Sequence, residues 1–259
     1  MTDDGRTSGM TVARDSFAAP DGVELAWREL GEGRAVVLLH GLFSDAHTNW
    51  IRFLHAGFIA RRGFRVIMPD LRGHGDSARP HDPAAYPPDI LADDGLALIA
   101  HLGLEDYDLG GYSLGGRTAV RMVVKGAVPR RLVVSGMGLS GLLDTASRTA
   151  HFKAILKGLG SHVQGSPEWM AEAFLKTTGG DPQALLPLLD SFLDTSEAEL
   201  RAIEVPTLVL HGAQDDDNGS GEALAGLLPH GEYLEVPGNH MSVVTKPELG
   251  KAIAEFLAR

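Results

Sequence analysis

The chain of 259 residues has no cysteine, which excludes a thiol nucleophile, a disulfide framework and any zinc or iron–sulfur site built on thiolates. Long apolar runs are missing as well. Nowhere do about 18 apolar residues follow one another, the length that a membrane-spanning helix needs, and Met1 to Met10 lack the apolar stretch of a secretory signal. The cytoplasm is therefore the expected compartment. Basic residues are the minority, 23 against 34 acidic, for a net charge of −11. Without any basic run to offset it, that balance argues against nucleic acid or an anionic membrane as a partner. A phosphate-cradling G-x-x-x-x-G-K-[ST], internal repeats and low-complexity segments are also lacking.

What is present is ordinary for a globular chain, 44% hydrophobic and 22% charged, and long enough for one α/β domain with an insertion. The polar, Gly-containing residues 1–12 are expected to be disordered. A hairpin follows, Ser16 to Ala19 and Val23 to Trp27 around the turn Pro20-Asp21-Gly22. Apolar runs beginning at Ala35, Phe64, Tyr107, Arg131, Thr207 and Tyr233 then read as strands. Helical patterns lie at Trp50 to Arg62, Pro88 to Leu102, Leu114 to Lys125, Gly221 to Leu228 and Thr245 to Leu257. This alternation predicts an eight-stranded, mostly parallel sheet covered on both faces. Residues 139–203 break the alternation with helical patterns alone: Thr149 to Leu159, Pro167 to Thr177 and Asp181 to Leu193. The core is thus expected over 13–138 and 204–259, with 139–203 inserted after the sixth strand.

The feature that points to chemistry is Gly111-Tyr112-Ser113-Leu114-Gly115, set between a strand and a helix. Glycines two before and two after the serine leave no Cβ where strand and helix crowd together, so the serine can occupy a strained turn with its Oγ exposed. Three other strands end in short loops that fit beside it. Ala35 to Leu39 closes in His40-Gly41-Leu42, Thr207 to Leu210 in His211-Gly212-Ala213-Gln214-Asp215, and Tyr233 to Val236 in Pro237-Gly238-Asn239-His240. A fourth loop, Asp70-Leu71-Arg72-Gly73-His74-Gly75-Asp76-Ser77, follows the strand at Phe64.

His-Gly after one strand, Asp-x-Arg-Gly-His-Gly-x-Ser after the next and Gly-x-Ser-x-Gly after a third resemble the α/β-hydrolase superfamily. The resemblance implies that fold, with residues 139–203 as a small helical cap over the active site. It implies Ser113 as nucleophile, His240 as general base and Asp215 as the acid that orients the histidine, in the chain order Ser, acid, His. The family's Gly-x-x-Asp spacing favours Asp215 over its neighbours Asp216 and Asp217, and over Asp144, where some members place the acid. The oxyanion would be held by the backbone N–H groups of Leu42 and Leu114, and Arg72 and His74 are expected to be architectural. No metal and no organic cofactor is implied. A serine nucleophile argues against the dehalogenase and epoxide-hydrolase branches, which use aspartate. The expected reaction is hydrolysis of a small to medium apolar carboxylic ester through an acyl-serine. The alternatives are a lactonase, a thioesterase, a carbon–carbon bond hydrolase of a vinylogous β-diketone, a cofactor-free haloperoxidase-like enzyme, or a small-molecule receptor that keeps the triad. Of the insertion's apolar residues, Phe152, Ile155, Leu156, Trp169, Met170, Phe174, Leu185, Leu186, Leu189 and Phe192 are candidates for a substrate-facing wall.

Two further motifs fail in register. Gly136-Met137-Gly138-Leu139-Ser140-Gly141 matches the dinucleotide fingerprint, yet no strand with an acidic end follows about 20 residues on. Asp215 to Gly219 suggests a calcium loop, but with Gly219 at the turn position the terminal ligand positions fall on Gln214 and Ala225.

Overall fold

Runs such as Ala35 to Leu39 are apolar at every position, a pattern that is stable only when both faces of a strand are covered. In the computed structural model of the chain, which describes residues 11–259, these runs form the centre of one sheet. Its strands are β1 (Ala13–Ala18), β2 (Glu24–Leu30), β3 (Arg34–Leu39), β4 (Phe64–Pro69), β5 (Tyr107–Tyr112), β6 (Leu132–Ser135), β7 (Thr207–Gly212) and β8 (Gly231–Val236). They lie in the order β1-β2-β4-β3-β5-β6-β7-β8. Only β2 runs antiparallel to its neighbours, and every pairing from β4 across to β8 is parallel. The expected hairpin is β1–β2, with Gly22 at φ 84° in its turn.

Alternation along the strands divides the core in two. Val37, Leu39, Ile67, Leu109, Val134 and Val209 face one layer, while Val36, Leu38, Val66, Met68, Val133 and Leu208 face the other. Helices α1 (His55–Ala60) and α11 (Pro247–Leu257) cover the second layer. The first is covered by α2 (Ile90–His101), α3 (Leu114–Val124) and α9 (Gly221–Leu227). The single helix expected over Trp50 to Arg62 is instead a wide turn, His47–Ile51, followed by α1. Leu54 at φ 64° separates the two, because a left-handed residue ends helical hydrogen bonding wherever it falls. Of the N-terminal residues expected to be disordered, 1–10 lie outside the described residues, and Val12 packs against the second core layer. No helix among the described residues is long and apolar enough to cross a membrane.

Five helices separate β6 from β7: α4 (Leu139–Leu143), α5 (Thr145–Lys157), α6 (Pro167–Thr177), α7 (Pro182–Asp190) and α8 (Glu197–Arg201). Their starts are written in the sequence. Asp144, Ser166, Asp181 and Ser196 each cap a helix by accepting from backbone N–H groups of the first turn, the role that short polar side chains perform best. Because Asp144 caps α5, that helix starts four residues before the expected Thr149. The segment is tied to the loops beyond the strands: Thr178 Oγ1 donates to the Phe43 carbonyl at 2.6 Å, Arg79 donates to the Gly179 carbonyl at 2.7 Å, and the Phe43 and Phe152 rings meet at 5.5 Å.

The glycines rejected as a dinucleotide fingerprint have a packing purpose. A Cβ at Gly138 would lie 2.1 Å from the Gly219 carbonyl oxygen, and one at Gly141 would lie 2.9 Å from the Asn218 Cβ. These glycines let the start of the insertion press on the loop after β7, to which Leu139 and Gly141 donate through their backbone N–H groups.

Gly115, at the start of α3, is the most confined glycine near Ser113: its Cβ would fall 2.1 Å from the Leu39 oxygen and 2.8 Å from the His40 oxygen, both on backbone. Gly115→Ala is therefore expected to destabilise the protein by about 1–3 kcal/mol or more. Gly226, inside α9 with nothing within 4 Å of its Cβ, is the control. Gly226→Ala should stabilise by about 0.5–1 kcal/mol. Urea unfolding of both variants measures the contrast, and equal effects would remove the steric account of the motif.

Candidate active site

In a parallel sheet, loops at the C-terminal ends of adjacent strands share one edge. Here that edge gathers the ends of β3, β5, β7 and β8. Ser113 sits between β5 and α3 at φ 53° and ψ −113°, a conformation costing of order 1–3 kcal/mol for a residue with a side chain. Its neighbours enforce it. A Cβ on Gly111 would lie 2.3 Å from the Gly115 carbonyl carbon, and the Ser113 N–H donates to the Ser135 carbonyl of β6 at 2.8 Å.

The loops after β7 and β8 are zipped together by backbone bonds, Ala213 N–H to Val236 O at 2.8 Å and Gln214 N–H to Gly238 O at 2.9 Å. Gly212 permits this approach, since a Cβ there would meet the Gly238 oxygen at 2.3 Å. The zipper sets Asp215 beside His240, whose Nδ1 lies 2.9 Å from Asp215 Oδ2 and whose Nε2 lies 3.0 Å from Ser113 Oγ. With Nδ1–H donating to the carboxylate, Nε2 is left bare to accept from the serine hydroxyl. Asp215 has no solvent-accessible side-chain surface. Burial alone would raise its pKa, but the hydrogen bond and charge of His240 outweigh this and hold the carboxyl below its ordinary range. His240 opens the short helix α10 (His240–Val243), capped reciprocally by Asn239 and Ser242, and its carbonyl accepts from the Tyr112 hydroxyl at 2.5 Å.

Of the competing carboxylates, Asp144 is an exposed helix cap and Asp216 is exposed. Asp217, half-exposed and 3.8 Å from Arg148, brings an oxygen within 4.8 Å of Asp215 and His240, but the 2.9 Å contact to the ring is made by Asp215.

The loop after β3 is held by His40 and Asn49. His40 is fully buried, accepts the Leu71 N–H at Nε2 (2.9 Å) and donates from Nδ1 to the Gly41 carbonyl (2.8 Å), while Asn49 Oδ1 accepts the Gly41 N–H at 3.0 Å. Among the described residues the next N–H, that of Leu42, donates to nothing, and neither does that of Leu114. Leu114 is the first residue of its helix, where no intrahelical acceptor exists. Both residues border, with Ser113, a cavity that opens to solvent. Alanine at Leu42 leaves its N–H in place and should keep most of kcat, whereas Leu42→Pro removes the donor and is expected to cost on the order of 10²-fold in kcat. An unchanged rate in a folded Leu42→Pro variant would take this residue out of any oxyanion site.

The Arg-Gly-His-Gly loop after β4 turns inward. Arg72, fully buried, donates to Asp21, Asp94 and the Ala85 carbonyl. Asp70 accepts from Arg28 and from the backbone N–H groups of Ala46 and Asp76. His74 packs edge-on against His40 with ring centres 5.1 Å apart. Burial, with the neighbouring His40 adding to it, pushes its pKa down to about 3. Because this folded value lies below the ordinary one, between about pH 6.5 and 3 the unfolded chain binds a proton that the native state does not. The stability contributed at His74 is therefore complete above pH 6.5 and is lost as pH falls, at up to about 1.4 kcal/mol per pH unit. In His74→Asn, urea unfolding between pH 6.5 and 4 should show a slope of stability against pH shallower by about that amount. An unchanged slope would mean that His74 is protonated in the folded protein.

The cavity beside Ser113 is lined by Leu42, Leu114, Arg117, Met137, Arg148, Thr149, Phe152, Phe192 and Asn218. Of the insertion's apolar candidates only Phe152 and Phe192 reach it. Ile155, Leu156, Leu185 and Leu189 are core, and Trp169 and Met170 stand exposed at the surface. The sequence reading overlooked Arg117 and Arg148. The signal for Arg117 was available, since residue 117 lies one helical turn after Ser113 on the same face of α3.

Residues 36–249 match the alpha/beta hydrolase family. A non-heme haloperoxidase from Rhodococcus erythropolis is 30% identical over 85% of this chain and 90% of its own length. Among solved structures, a hydrolase from Pseudomonas aeruginosa superposes with a TM-score of 0.77 at 25% identity, covering 95% of this chain and 98% of its own. A malate-bound thermophilic esterase from Thermogutta terrifontis gives a TM-score of 0.77 at 26% identity, with the same coverage of both chains. With its sheet order, its strand-end loops and this match across most of its length, the chain belongs to the alpha/beta hydrolase family.

Proposed function

We propose that this hydrolase cleaves carboxylic esters through an acyl-enzyme on Ser113. The observation that carries the reading is the unbroken relay Ser113 Oγ, His240 and Asp215, with contacts of 3.0 and 2.9 Å, at one wall of a cavity that also presents two unengaged backbone N–H groups. A serine hydroxyl is a weak nucleophile at neutral pH and needs such a base. As Oγ attacks the ester carbonyl, its proton passes to His240 Nε2, and the imidazolium is stabilised by the Asp215 carboxylate. The N–H groups of Leu42 and Leu114 receive the negative charge that develops on the carbonyl oxygen. Collapse of the tetrahedral species returns the proton from Nε2 to the departing alkoxide, leaving acyl-Ser113. Water, deprotonated by the same Nε2, repeats the sequence in reverse and releases the acid.

Residues 139–203 act as a cap in this reading. Phe152 and Phe192 give the cavity an apolar wall for the hydrocarbon part of the substrate, and the ties from Thr178 and Arg79 fasten the segment to the body.

The name of the Rhodococcus relative favours a second reading of the same intermediate. Hydrogen peroxide in place of water would open acyl-Ser113 to a peracid, a two-electron oxidant of halide, and regenerate the serine hydroxyl.

The test is turnover. With 4-nitrophenyl hexanoate, the ester reading expects a burst of nitrophenol near one equivalent followed by steady release. A burst that stops after one equivalent marks a receptor that reacts once. Faster release of acyl product with peroxide than with water selects the second reading.

A further inference from the structure

Four arginines are buried among the described residues, and three of them share a pattern. Arg28 faces Asp70 and Asp76, Arg72 faces Asp21 and Asp94, and Arg121 faces Asp89 and Glu199. This is how a chain meets the cost of removing a guanidinium from water. Arg117 departs from it. Only 6% exposed, it has no carboxylate within ion-pairing distance among the described residues. One of its terminal nitrogens donates to the Gly141 carbonyl, and the other, Nη1, has no hydrogen-bond partner. Burial pulls its pKa down to about 10, still well above neutral, so it remains a cation. Asp194, the acid whose charge reaches it, is already engaged by the Thr145 N–H at 2.7 Å.

The surroundings direct this charge toward a ligand. Arg117 lines the same cavity as Ser113 and follows it by one turn of α3, about 6 Å along the helix axis. Its guanidinium carbon lies 5.5 Å from the centre of the Phe192 ring. A guanidinium stacked in this way keeps its in-plane N–H donors for a planar acceptor. Arg148 lines the cavity as well, stacked at 4.9 Å on Phe152, and its only carboxylate neighbour among the described residues is the half-exposed Asp217 at 3.8 Å. In a chain with a net charge of −11, this cavity wall is a local reversal of sign.

We propose that Arg117, assisted by Arg148, binds a carboxylate carried by the substrate, so that the favoured ester has an acid group a short apolar chain away from the bond cleaved. The proposal rests on the ester-hydrolase reading for its reaction, but not for its binding site. A carboxylate supplies what Arg117 lacks, two in-plane acceptors and a compensating charge. The hydrocarbon between acid and ester lies against Leu42, Met137, Phe152 and Phe192. A neutral ester of equal length leaves the cation buried and unpaired.

Two matched measurements test this. The first compares kcat/KM for mono-4-nitrophenyl adipate and 4-nitrophenyl hexanoate. The wild-type ratio, acid over neutral, is expected to be about 10- to 100-fold, the scale of a hydrogen bond to a charged group. It should fall toward one in Arg117→Gln, chiefly through KM, and be partly restored in Arg117→Lys. If Arg117 is only a strut for Gly141, both esters suffer alike, and an unchanged ratio overturns the proposal. The second measurement needs no turnover: calorimetric titration of adipate into Ser113→Ala. Binding that Arg117→Gln abolishes supports the site, while absent binding, or binding indifferent to Arg117, overturns it. Should no ester be hydrolysed, the reaction assignment fails and the titration still decides the carboxylate site. If Arg117→Gln does not fold, competition in the wild-type enzyme replaces it. Adipate should then inhibit hexanoate hydrolysis at concentrations where uncharged 1,6-hexanediol does not, and equal inhibition by both refutes the proposal.

Discussion

Ser113→Ala is expected to lower kcat for ester hydrolysis by about 10⁴- to 10⁶-fold while leaving the fold intact. The size follows from what is removed. Without Oγ no acyl-enzyme forms, and the remaining rate is that of water attacking an ester held by the N–H groups of Leu42 and Leu114, which in comparable sites retain a residual 10³- to 10⁴-fold over the uncatalysed reaction. Alanine keeps the Cβ at φ 53°, so the backbone strain at the turn is the same in both proteins. His240→Ala should fall by a similar factor, because serine and histidine act as one unit. For the same reason the double variant should be about as slow as either single one. Steady-state kinetics on the three proteins, with unfolding transitions to confirm folding, gives the comparison. Losses that multiply in the double variant would mean that the two residues act independently, against the 3.0 Å contact between them.

Asp215→Asn is expected to cost about 10³- to 10⁴-fold in kcat. An asparagine amide can donate toward Nδ1, which favours the imidazole tautomer with its proton on Nε2, the nitrogen that must be bare to accept from Ser113. The imidazolium formed during attack also loses its buried counter-charge. The three other carboxylates provide the contrast. Asparagine at Asp144 keeps the oxygen that caps α5 and removes only its charge, as it does at the exposed Asp216 and Asp217. Each should change the rate by less than about tenfold, since solvated charges contribute little. A near-normal Asp215→Asn beside a crippled Asp144→Asn would move the acid to the segment after β6.

What could be read from the sequence, and what could not, follows the range of the forces involved. Gly111 and Gly115 are legible as a pair flanking a serine between strand and helix, although only the demand on Gly111 is local: its Cβ would collide with Gly115, whereas a Cβ on Gly115 would collide with the end of β3. The apolar runs of β3, β4 and β7 are legible because burial on both faces excludes polar residues. Asp215 and His240 were reachable through the resemblance, whose chain order and Gly-x-x-Asp spacing single them out on the loops beyond β7 and β8. The left-handed Leu54 carries no local signal, as it is neither a glycine nor an asparagine or aspartate, and it breaks what reads as one helix. Asp144 as a cap was a four-residue matter of where α5 begins. Arg117 escaped for a different reason. Whether a buried cation is paired depends on groups brought in from distant parts of the chain: Arg121, one turn further along the same helix, finds Asp89 and Glu199, while Arg117 finds only a carbonyl. Trp169 and Met170, apolar in sequence, gave no warning that they would stand at the surface instead of the cavity.

The most direct examination of the nucleophile assignment is covalent. The protein is incubated at neutral pH with a fluorophosphonate, which reacts with activated serines, its intact mass is measured, and the modified peptide is mapped. One adduct per chain on Ser113, absent from Ser113→Ala and from His240→Ala, is the expected result. An unmodified chain, or an adduct that forms equally in Ser113→Ala, would contradict the assignment of Ser113 as the nucleophile.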